Sequence, residues 1–171
     1  GGPGWDAAVI AALADAIGPG PAVTTNGLDQ QAALAALGVK RPFLIFPPWF
    51  GDAQLQAGLD YFSGDGRSPI GFIRHDPGPG WRDLPPGELY PRGLGFQQQV
   101  EPLYAEIRSA CPREADGVLI AGTGFRCVGI LEALERDLAR PVIAANQASL
   151  WRALRLAGVT APVEGYGRLL G

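Results

Sequence analysis

Residues 118–130 read VLIAGTGFRCVGI, which places a Gly-Thr-Gly turn and a cysteine directly after an apolar run. In an open parallel sheet, ligands bind beyond the carboxyl ends of strands, where a loop leads into a helix. Glycines let a ligand approach the backbone closely, Thr123 adds a hydroxyl, and the N–H groups starting a helix expected over residues 126–138 would favour an anion. Gly122, Thr123 and Gly124 are therefore a candidate carboxylate or phosphate site. In the alternative interpretation, the two glycines only tighten the turn.

Cys127 is a candidate nucleophile, because a thiol near a helix N-terminus has its thiolate form favoured. Its spacing favours another role. Cys127 and the apolar residues that follow recur at helical intervals on a single face, and Cys111 similarly extends the apolar face of an earlier helix. We therefore predict that both cysteines are buried structural thiols. Their spacing matches no set of metal ligands, so no metal site is expected.

Polar residues at predicted strand ends form a second group of candidates. His75 and Asp76 end one strand, where a general base could sit, although a solvated strand end is the favoured interpretation. Asn26 and Asn146 each follow an apolar strand and precede a helix, so N-capping is favoured over ligand binding for both.

Residues 76–96 form a long stretch rich in proline and glycine, which predicts either a functional lid or a disordered loop. Arg92 and Trp81 within it could clamp and cover a carboxylate, although solvent exposure is the favoured interpretation of both. The acidic residues of the 126–138 helix, which include Glu135, are interpreted as its solvated face.

Apolar spacing predicts helices over residues 5–17, 28–37, 53–62, 102–110, 126–138 and 148–157. Short apolar runs predict strands over residues 22–25, 43–46, 70–74, 118–121 and 142–144. Short strands that alternate with helices predict an α/β fold with parallel sheets flanked by helices.

Composition excludes several classes of function. The 171-residue chain is 47% hydrophobic with a formal net charge of -3, and its scattered basic residues form no surface for nucleic acid. No apolar run is long enough to cross a membrane and no signal segment opens the chain, so a cytoplasmic protein without a membrane partner is expected. One histidine makes a histidine-dependent triad improbable.

The sequence also repeats itself. Residues 21–42 align with residues 141–162 at a uniform offset of 120, with matches that include Asn26 with Asn146 and Gly38 with Gly158. The same offset places residues 1–10 over residues 121–130. Two copies of a strand, loop, helix, strand and helix unit are therefore expected. The second copy has an apolar strand before its loop, whereas the first begins at the loop, and this predicts that upstream sequence is missing.

The segment GVLIAGTGFRCVGILEALERDLARPVIAANQASLWRALRLAGV resembles the last third of the maleate cis-trans isomerase and arylmalonate decarboxylase group, within the aspartate/glutamate racemase superfamily. The ending EGYGRLL is similar to the tail of the decarboxylases, and residues 21–42 resemble the entry into the family's second lobe. The resemblance implies two α/β lobes related by a pseudo-twofold axis, with the active site in the cleft between them. It also implies cofactor-free chemistry, in which a cysteine thiolate attacks, or removes a proton from, a carbon beside a carboxylate.

Mapped onto this chain, the family's second cysteine falls on Gly122, with Thr123 and Gly124 at the following carboxylate-binding positions. The family's first reactive position would lie before residue 1. Its tyrosine after the strand at residues 43–46 meets Pro48, with Trp49 next, so a hydroxyl donor is lost. The resemblance thus implies Gly122, Thr123, Gly124, Pro48 and Trp49 as substrate-binding residues, with the catalytic residue unknown.

The resemblance divides the chain into a remnant of the first lobe at residues 1–25, a second α/β lobe at 26–140 and a return to the first lobe at 141–171. The first lobe is expected to be incomplete and to leave an apolar surface for a missing N-terminal segment or a homo-oligomeric partner. Two functions are expected. The first is a cofactor-independent isomerase, racemase or decarboxylase of a small dicarboxylate such as maleate or a substituted malonate. The second is a catalytically silent relative that binds a carboxylate-bearing metabolite or serves as a partner subunit.

Overall fold

The computed structural model of the chain describes residues 2–18, 20–64 and 66–171. Within them, four parallel strands form one sheet in the order β2-β1-β3-β4, where β1 is Pro42–Phe46, β2 is Gly71–Arg74, β3 is Gly117–Ile120 and β4 is Val142–Ala144. Leu44 lies opposite Phe72 on one side and Leu119 on the other, so β1 and β3 are the central strands. Because the strands are parallel, their carboxyl ends meet at one edge of the sheet, and the α/β prediction is confirmed.

The helices found in the described residues are α1 at Pro3–Ile17, α2 at Asn26–Ala36, α3 at Asp52–Phe62, α4 at Pro86–Leu89, α5 at Leu94–Gln97, α6 at Val100–Ala110, α7 at Leu131–Leu138 and α8 at Ala145–Leu156. Five of the six helices predicted from apolar spacing lie within about three residues of these bounds. The short helix α4 and most of α5 lie within residues 76–96, for which sequence analysis predicts a loop.

Both faces of the sheet are covered. Successive side chains of β1 point to opposite faces, so Phe43 and Ile45 pack in a core cluster with Leu103 of α6 and Leu134 of α7. Leu44 and Phe46 pack instead in a second cluster built from α2, α3 and α8. Burial on both faces explains why the strands read as continuous apolar runs rather than alternating ones.

The strand predicted over residues 22–25 is wrong. These residues are extended, but no strand in the described part of the chain lies beside them to form a ladder. Thr25 instead caps α2, because its Oγ1 accepts a hydrogen bond from the backbone N–H of Leu28 at 3.4 Å.

The helix predicted over residues 126–138 begins too early. Its first turn is a 3-10 helix at Val128–Ile130, and α7 starts only at Leu131. Cys127 precedes both, with φ -154° and ψ -9°. The apolar residues of the loop happen to continue the spacing of the helix, so periodicity alone did not reveal where the helix begins.

The internal repeat has a structural counterpart in α2 and α8, which pack against each other. Each helix ends in a left-handed glycine, Gly38 at φ 67° and Gly158 at φ 77°. The residue after each glycine donates to the fifth carbonyl back, from Val39 at 2.9 Å and Val159 at 2.8 Å, which is the Schellman arrangement. The two helices are joined at Asp29 and Ser149, which are 120 positions apart in sequence and hydrogen bonded at 2.7 Å.

Glu135 was interpreted as part of a solvated helix face, and that interpretation is wrong. Its carboxylate is buried and accepts the backbone N–H groups of Val142 at 3.0 Å and Arg168 at 2.8 Å. It therefore fastens the C-terminal tail to the start of β4. The division of the chain at residues 25 and 140 stays a prediction. None of the helices that the structure describes is long and apolar enough to span a membrane.

Candidate functional site

The loops that follow β1 and β3 meet at the carboxyl edge of the sheet. Ala121 extends the pairing by one residue, since its N–H donates to the Ile45 carbonyl at 2.9 Å. Gly122 then turns the chain away with φ 94°, and a Cβ placed on it would lie 2.9 Å from Cγ of Pro47. Both the backbone conformation and the contact with Pro47 therefore require glycine at residue 122.

Residues 122–124, here called the 122–124 turn, present unpaired hydrogen-bond donors. The N–H of Phe125 closes the turn onto the Gly122 carbonyl at 3.3 Å, and Asn146 Nδ2 holds the Thr123 carbonyl at 2.8 Å. The backbone N–H groups of Gly122, Thr123 and Gly124, and the Thr123 hydroxyl, have no partner among the described residues. Consecutive unpaired N–H groups in a turn are a common means of binding anions.

Three cavities open at this turn. One, with a volume of about 600 Å³, is lined by Thr123, Gly124 and Cys127. The other two share four lining residues. The first, here called the α2 cavity, has a volume of about 350 Å³ and includes Asn26 and Gly27 of the first turn of α2. The second, the Tyr90 cavity, has a volume of about 400 Å³ and includes Trp49, Tyr90 and Gly124. Both are lined by Phe50, Gln54, Gly122 and Thr123. The helix N-terminus beside the turn is therefore that of α2, not that of the helix predicted over residues 126–138.

The electrostatics of the α2 cavity depend on neutral donors. Asp6 is the one charged residue among its described lining, and no lysine or arginine is among them. The Asp6 carboxylate is buried and accepts a hydrogen bond from the Tyr61 hydroxyl at 2.7 Å. Burial, and then this bond to Asp6, raises the pKa of Tyr61 above its usual value near 10, so the hydroxyl stays protonated. An anion in this cavity would be held by N–H and O–H groups rather than by a cationic side chain.

Gln30 adds a buried acceptor to the same cavity. Its Nε2 donates to Asn26 Oδ1 at 2.6 Å, whereas its Oε1 is buried without a partner in the described structure. The orientation of the amide is fixed by Asn26, whose Oδ1 can only accept. The Gln30 oxygen is therefore a buried acceptor beside the cavity that has no partner in the described structure.

Four of the five predicted binding residues lie together, because Gly122, Thr123, Gly124 and Trp49 all line the Tyr90 cavity. Pro48 is separate and lines another cavity on the β2 side of the sheet. The Trp49 ring packs against Tyr90, with centroids 5.0 Å apart, and edge-on against Phe125 at 5.7 Å.

Sequence reasoning missed Tyr90. Its ring packs so closely on Gly95 and Gly124 that a Cβ on either glycine would collide with it. Tyr90 therefore covers the 122–124 turn at Gly124. The sequence signal that could have revealed Tyr90 is a single aromatic residue between two short helices, α4 and α5. Trp81 and Arg92, for which sequence analysis favoured solvent exposure over a carboxylate clamp, line neither the α2 cavity nor the Tyr90 cavity, and Arg92 pairs with Glu88 at 2.6 Å.

Cys127 lies behind the turn, and its interpretation as a buried structural thiol is confirmed. Its side chain is buried in the cluster that contains Ile130 and Leu131, and it lines neither the α2 cavity nor the Tyr90 cavity. Burial raises the pKa of the Cys127 thiol to about 12, so the nucleophilic thiolate is scarce at neutral pH.

The predicted N-caps are wrong. Asn26 and Asn146 lie inside the first turns of α2 and α8. Asn26 Nδ2 bridges to α8 through the Ala145 carbonyl and Ser149 Oγ, both at 2.8 Å, while Asn146 holds the 122–124 turn. Each asparagine therefore orients a cavity wall rather than ending a helix.

The fold and site define a parallel α/β protein with a turn of unpaired N–H groups at the carboxyl edge of its sheet. Comparison with known proteins identifies its relatives. Residues 96–170 match the family model of arylmalonate decarboxylase. The structure is similar to a crystal structure of arylmalonate decarboxylase, with a TM-score of 0.77 and 25% identity over 99% of this chain and 68% of that chain.

A second similar structure is the Nocardia farcinica maleate cis-trans isomerase, in a mutant with a covalently bound succinylcysteine intermediate. Its TM-score is 0.79, with 23% identity over 99% of this chain and 65% of that chain. No curated protein matches the sequence. Residues 96–170 thus resemble arylmalonate decarboxylase in sequence, and the described structure shares the fold of arylmalonate decarboxylase and maleate isomerase, as the sequence predicted. It spans about two thirds of the length of these relatives.

Proposed function

We propose that this chain supplies the carboxylate-binding half of a cofactor-independent isomerase, racemase or decarboxylase that acts on a small dicarboxylate such as maleate or a substituted malonate. The observation that carries the proposal is the row of unpaired N–H groups at Gly122, Thr123 and Gly124, beside the N-terminus of α2. The likeness to arylmalonate decarboxylase and maleate isomerase supports it.

These reactions all require that a developing negative charge be stabilised. Addition of a thiolate to the double bond of maleate, loss of CO₂ from a malonate, and removal of a proton beside a carboxylate each place negative charge on a carbon next to a carboxylate. That charge spreads onto the carboxylate oxygens as an enediolate. Donors fixed in advance around those oxygens stabilise the charge as it develops. The 122–124 turn provides such donors without a cation or cofactor.

The nucleophile is proposed to be a cysteine from sequence upstream of residue 1. Within the described residues, neither the α2 cavity nor the Tyr90 cavity is lined by a cysteine, and Cys127, which lines the third cavity at the turn, is only 5% exposed. The α2 cavity borders on Gly2 and Trp5 at the beginning of α1. A group that directly precedes α1 would therefore enter the site from the side opposite the turn.

The second candidate is a catalytically silent relative that binds a carboxylate-bearing metabolite. The specific observation in its favour is Gly122, which stands where the resemblance places the family's second cysteine. Pro47 fills the space that a side chain there would need. A site with donors but without this thiol would bind a carboxylate and leave it unchanged.

An assay of the full-length protein with maleate and phenylmalonate separates the two candidates. Formation of fumarate or phenylacetate, followed by NMR, supports the enzyme. Saturable binding of maleate without turnover of either compound supports the silent relative. Absence of both binding and turnover would contradict the carboxylate site itself.

The first prediction concerns Thr123. Thr123→Val removes a hydroxyl donor but keeps the shape of the side chain, so maleate affinity should fall by about 1 kcal/mol, or roughly fivefold. Isothermal titration calorimetry measures this change. Thr160→Val is the matched control, because Thr160 is exposed and lines neither cavity. Equal affinity of the two variants would remove the Thr123 hydroxyl from the site.

A further inference from the structure

His75 is the one histidine of the sequence, and the structure buries it rather than leaving it at a solvated strand end, so that expectation is wrong. Its backbone N–H donates to the Phe46 carbonyl at 2.9 Å, and its ring packs against Phe125 with centroids 5.6 Å apart. Its Nδ1 is hydrogen bonded to the Glu106 carboxylate of α6. An ionised carboxylate only accepts, so the proton of the neutral ring lies on Nδ1 and Nε2 is a free acceptor.

This ring lines a cavity of about 210 Å³, here called the His75 cavity. Nε2 has no partner among the described residues, although the side chain is only 5% exposed. A buried imidazole that is oriented by a carboxylate and has a free ring nitrogen toward a cavity is arranged to meet a ligand rather than solvent. No protein group in the described structure takes that role.

The other residues that line the His75 cavity favour a ligand that carries positive charge and donates hydrogen bonds. Gln97 and Gln99 are exposed residues whose side-chain amides have no hydrogen bond within the described structure, and the half-buried Trp81 ring has no aromatic neighbour there. No lysine or arginine is among the described lining residues. Asp76 is held by Arg82, at 2.9 Å from Nε and 2.5 Å from Nη2, so these two charges balance each other.

We propose that the His75 cavity binds a small organic amine in its ammonium form. The ammonium would donate to His75 Nε2 and to glutamine oxygens, and the Trp81 ring would offer its face for a cation–π contact. The Glu106 carboxylate behind the imidazole adds negative potential along the same axis. The Glu106 carboxylate beside the ring disfavours an anionic ligand.

This site is independent of the proposed carboxylate site. The His75 cavity shares no lining residue with the α2 cavity or the Tyr90 cavity, and the Phe125 ring contacts both His75 and Trp49. Binding of an amine can therefore be tested whether or not the 122–124 turn binds a carboxylate.

The test is a titration of the full chain with methylammonium, followed through the ring signals of its only histidine by NMR. The expected result is a saturable shift with a dissociation constant in the millimolar range, because so small a ligand has few contacts. Acetate is the matched probe of similar size and opposite charge, and it should cause no saturable shift. A shift with acetate alone, equal non-saturable drifts with both, or no shift with either would overturn the proposal.

Glu106→Gln supplies the second measurement. Without the carboxylate, the imidazole loses its fixed tautomer, and methylammonium affinity should fall severalfold. Glu101→Gln is the control, since Glu101 is exposed on the same helix and lines none of these cavities. Unchanged affinity in a folded Glu106→Gln protein would overturn the role of this pair, and the acetate comparison in the unaltered protein tests the proposal if that variant does not fold.

Discussion

Residue 122 sets how far the chemistry of the family can be carried over to this chain. The resemblance places a cysteine there, but the structure holds the position at φ 94° with Pro47 against it. The difference from the family at residue 122 therefore involves the backbone conformation as well as the absence of a thiol. A nucleophile at this position would need a different conformation of both strand-end loops.

This account predicts the outcome of restoring the cysteine. Gly122→Cys should lower the free energy of unfolding by about 2 kcal/mol, because a side chain is strained at positive φ and meets Pro47. Gly129→Cys is the matched control, since a Cβ on Gly129 meets nothing within 4 Å. Urea denaturation measures both. If Gly122→Cys is as stable as the control, glycine is not required at this position.

At the scale of residues, sequence analysis predicted side chains whose role depends on local spacing and missed those whose partners are distant. Gly122, Thr123 and Gly124 were recognisable because a turn after an apolar strand has a fixed place in a parallel sheet. The partner of His75 is Glu106, thirty-one positions away, so the burial of the imidazole could not be read from its neighbours. Tyr90 was missed for the same reason.

At the scale of elements, α1 is joined to the rest of the fold through a bond near the site. Most of its residues are exposed, but Asp6 is buried against Tyr61 of α3. Tyr61 also approaches Gly27 at the start of α2 so closely that a Cβ there would lie 2.5 Å from its hydroxyl oxygen. One tyrosine thus positions three helix segments around the α2 cavity.

Tyr61→Phe should therefore lower the free energy of unfolding by about 1 to 3 kcal/mol at neutral pH, because it leaves the buried Asp6 carboxylate without its donor. The pKa of Tyr61 is raised in the folded state, so its contribution is complete below the unfolded value near 10 and is lost as pH rises through the raised value. The difference between the proteins should shrink above pH 10. Chemical denaturation at several pH values measures it.

Tyr166→Phe is the control for this prediction, because the Tyr166 side chain is 43% exposed and its hydroxyl has no partner in the described structure. A Tyr61→Phe protein as stable as this control, or a stability difference that persists unchanged at alkaline pH, would contradict the assigned role of the hydroxyl.

Element prediction succeeded where local and tertiary signals agreed. The runs that form β1, β3 and β4 were found because strands covered on both faces are continuously apolar, whereas Phe72 and Arg74 of the edge strand β2 are exposed. Residues 22–25 have a similar pattern but no neighbouring strand in the described structure, and pairing, not composition, makes a strand. The start of α7 was misplaced because Cys127 and Ile130 are buried by the loop and the 3-10 helix, which helical spacing cannot distinguish from a longer helix.

At the scale of the whole molecule, α1 leaves a large apolar surface in solvent. Trp5 is 55% exposed, Leu13 46% and Ile17 50%. Exposed apolar residues grouped on one element mark a surface for another chain or segment. The sequence predicted such a surface from the repeat and the resemblance, although it could not say which residues would form it.

The chain of residues 1–171, prepared alone, should therefore self-associate as its concentration rises, and light scattering measures this. The double variant Leu13→Lys with Ile17→Lys should remain monomeric over the same range, because it places charge on the apolar face of α1. Phe96→Lys is the control, since Phe96 is the most exposed large apolar residue and lies on α5. A chain that is monomeric throughout, or association equally strong in the double variant, would contradict an interface on α1.

The central claim is that the 122–124 turn binds a carboxylate through its own N–H groups, and an NMR titration of the ¹⁵N-labelled protein with maleate tests it most directly. We predict saturable downfield shifts of the backbone amide protons of Gly122, Thr123 and Gly124, larger than those of amides elsewhere in the chain. These three amides should respond less in Thr123→Val at the same maleate concentration. Saturable shifts elsewhere with these three amides unmoved, or no saturable shift at all, would contradict the claim.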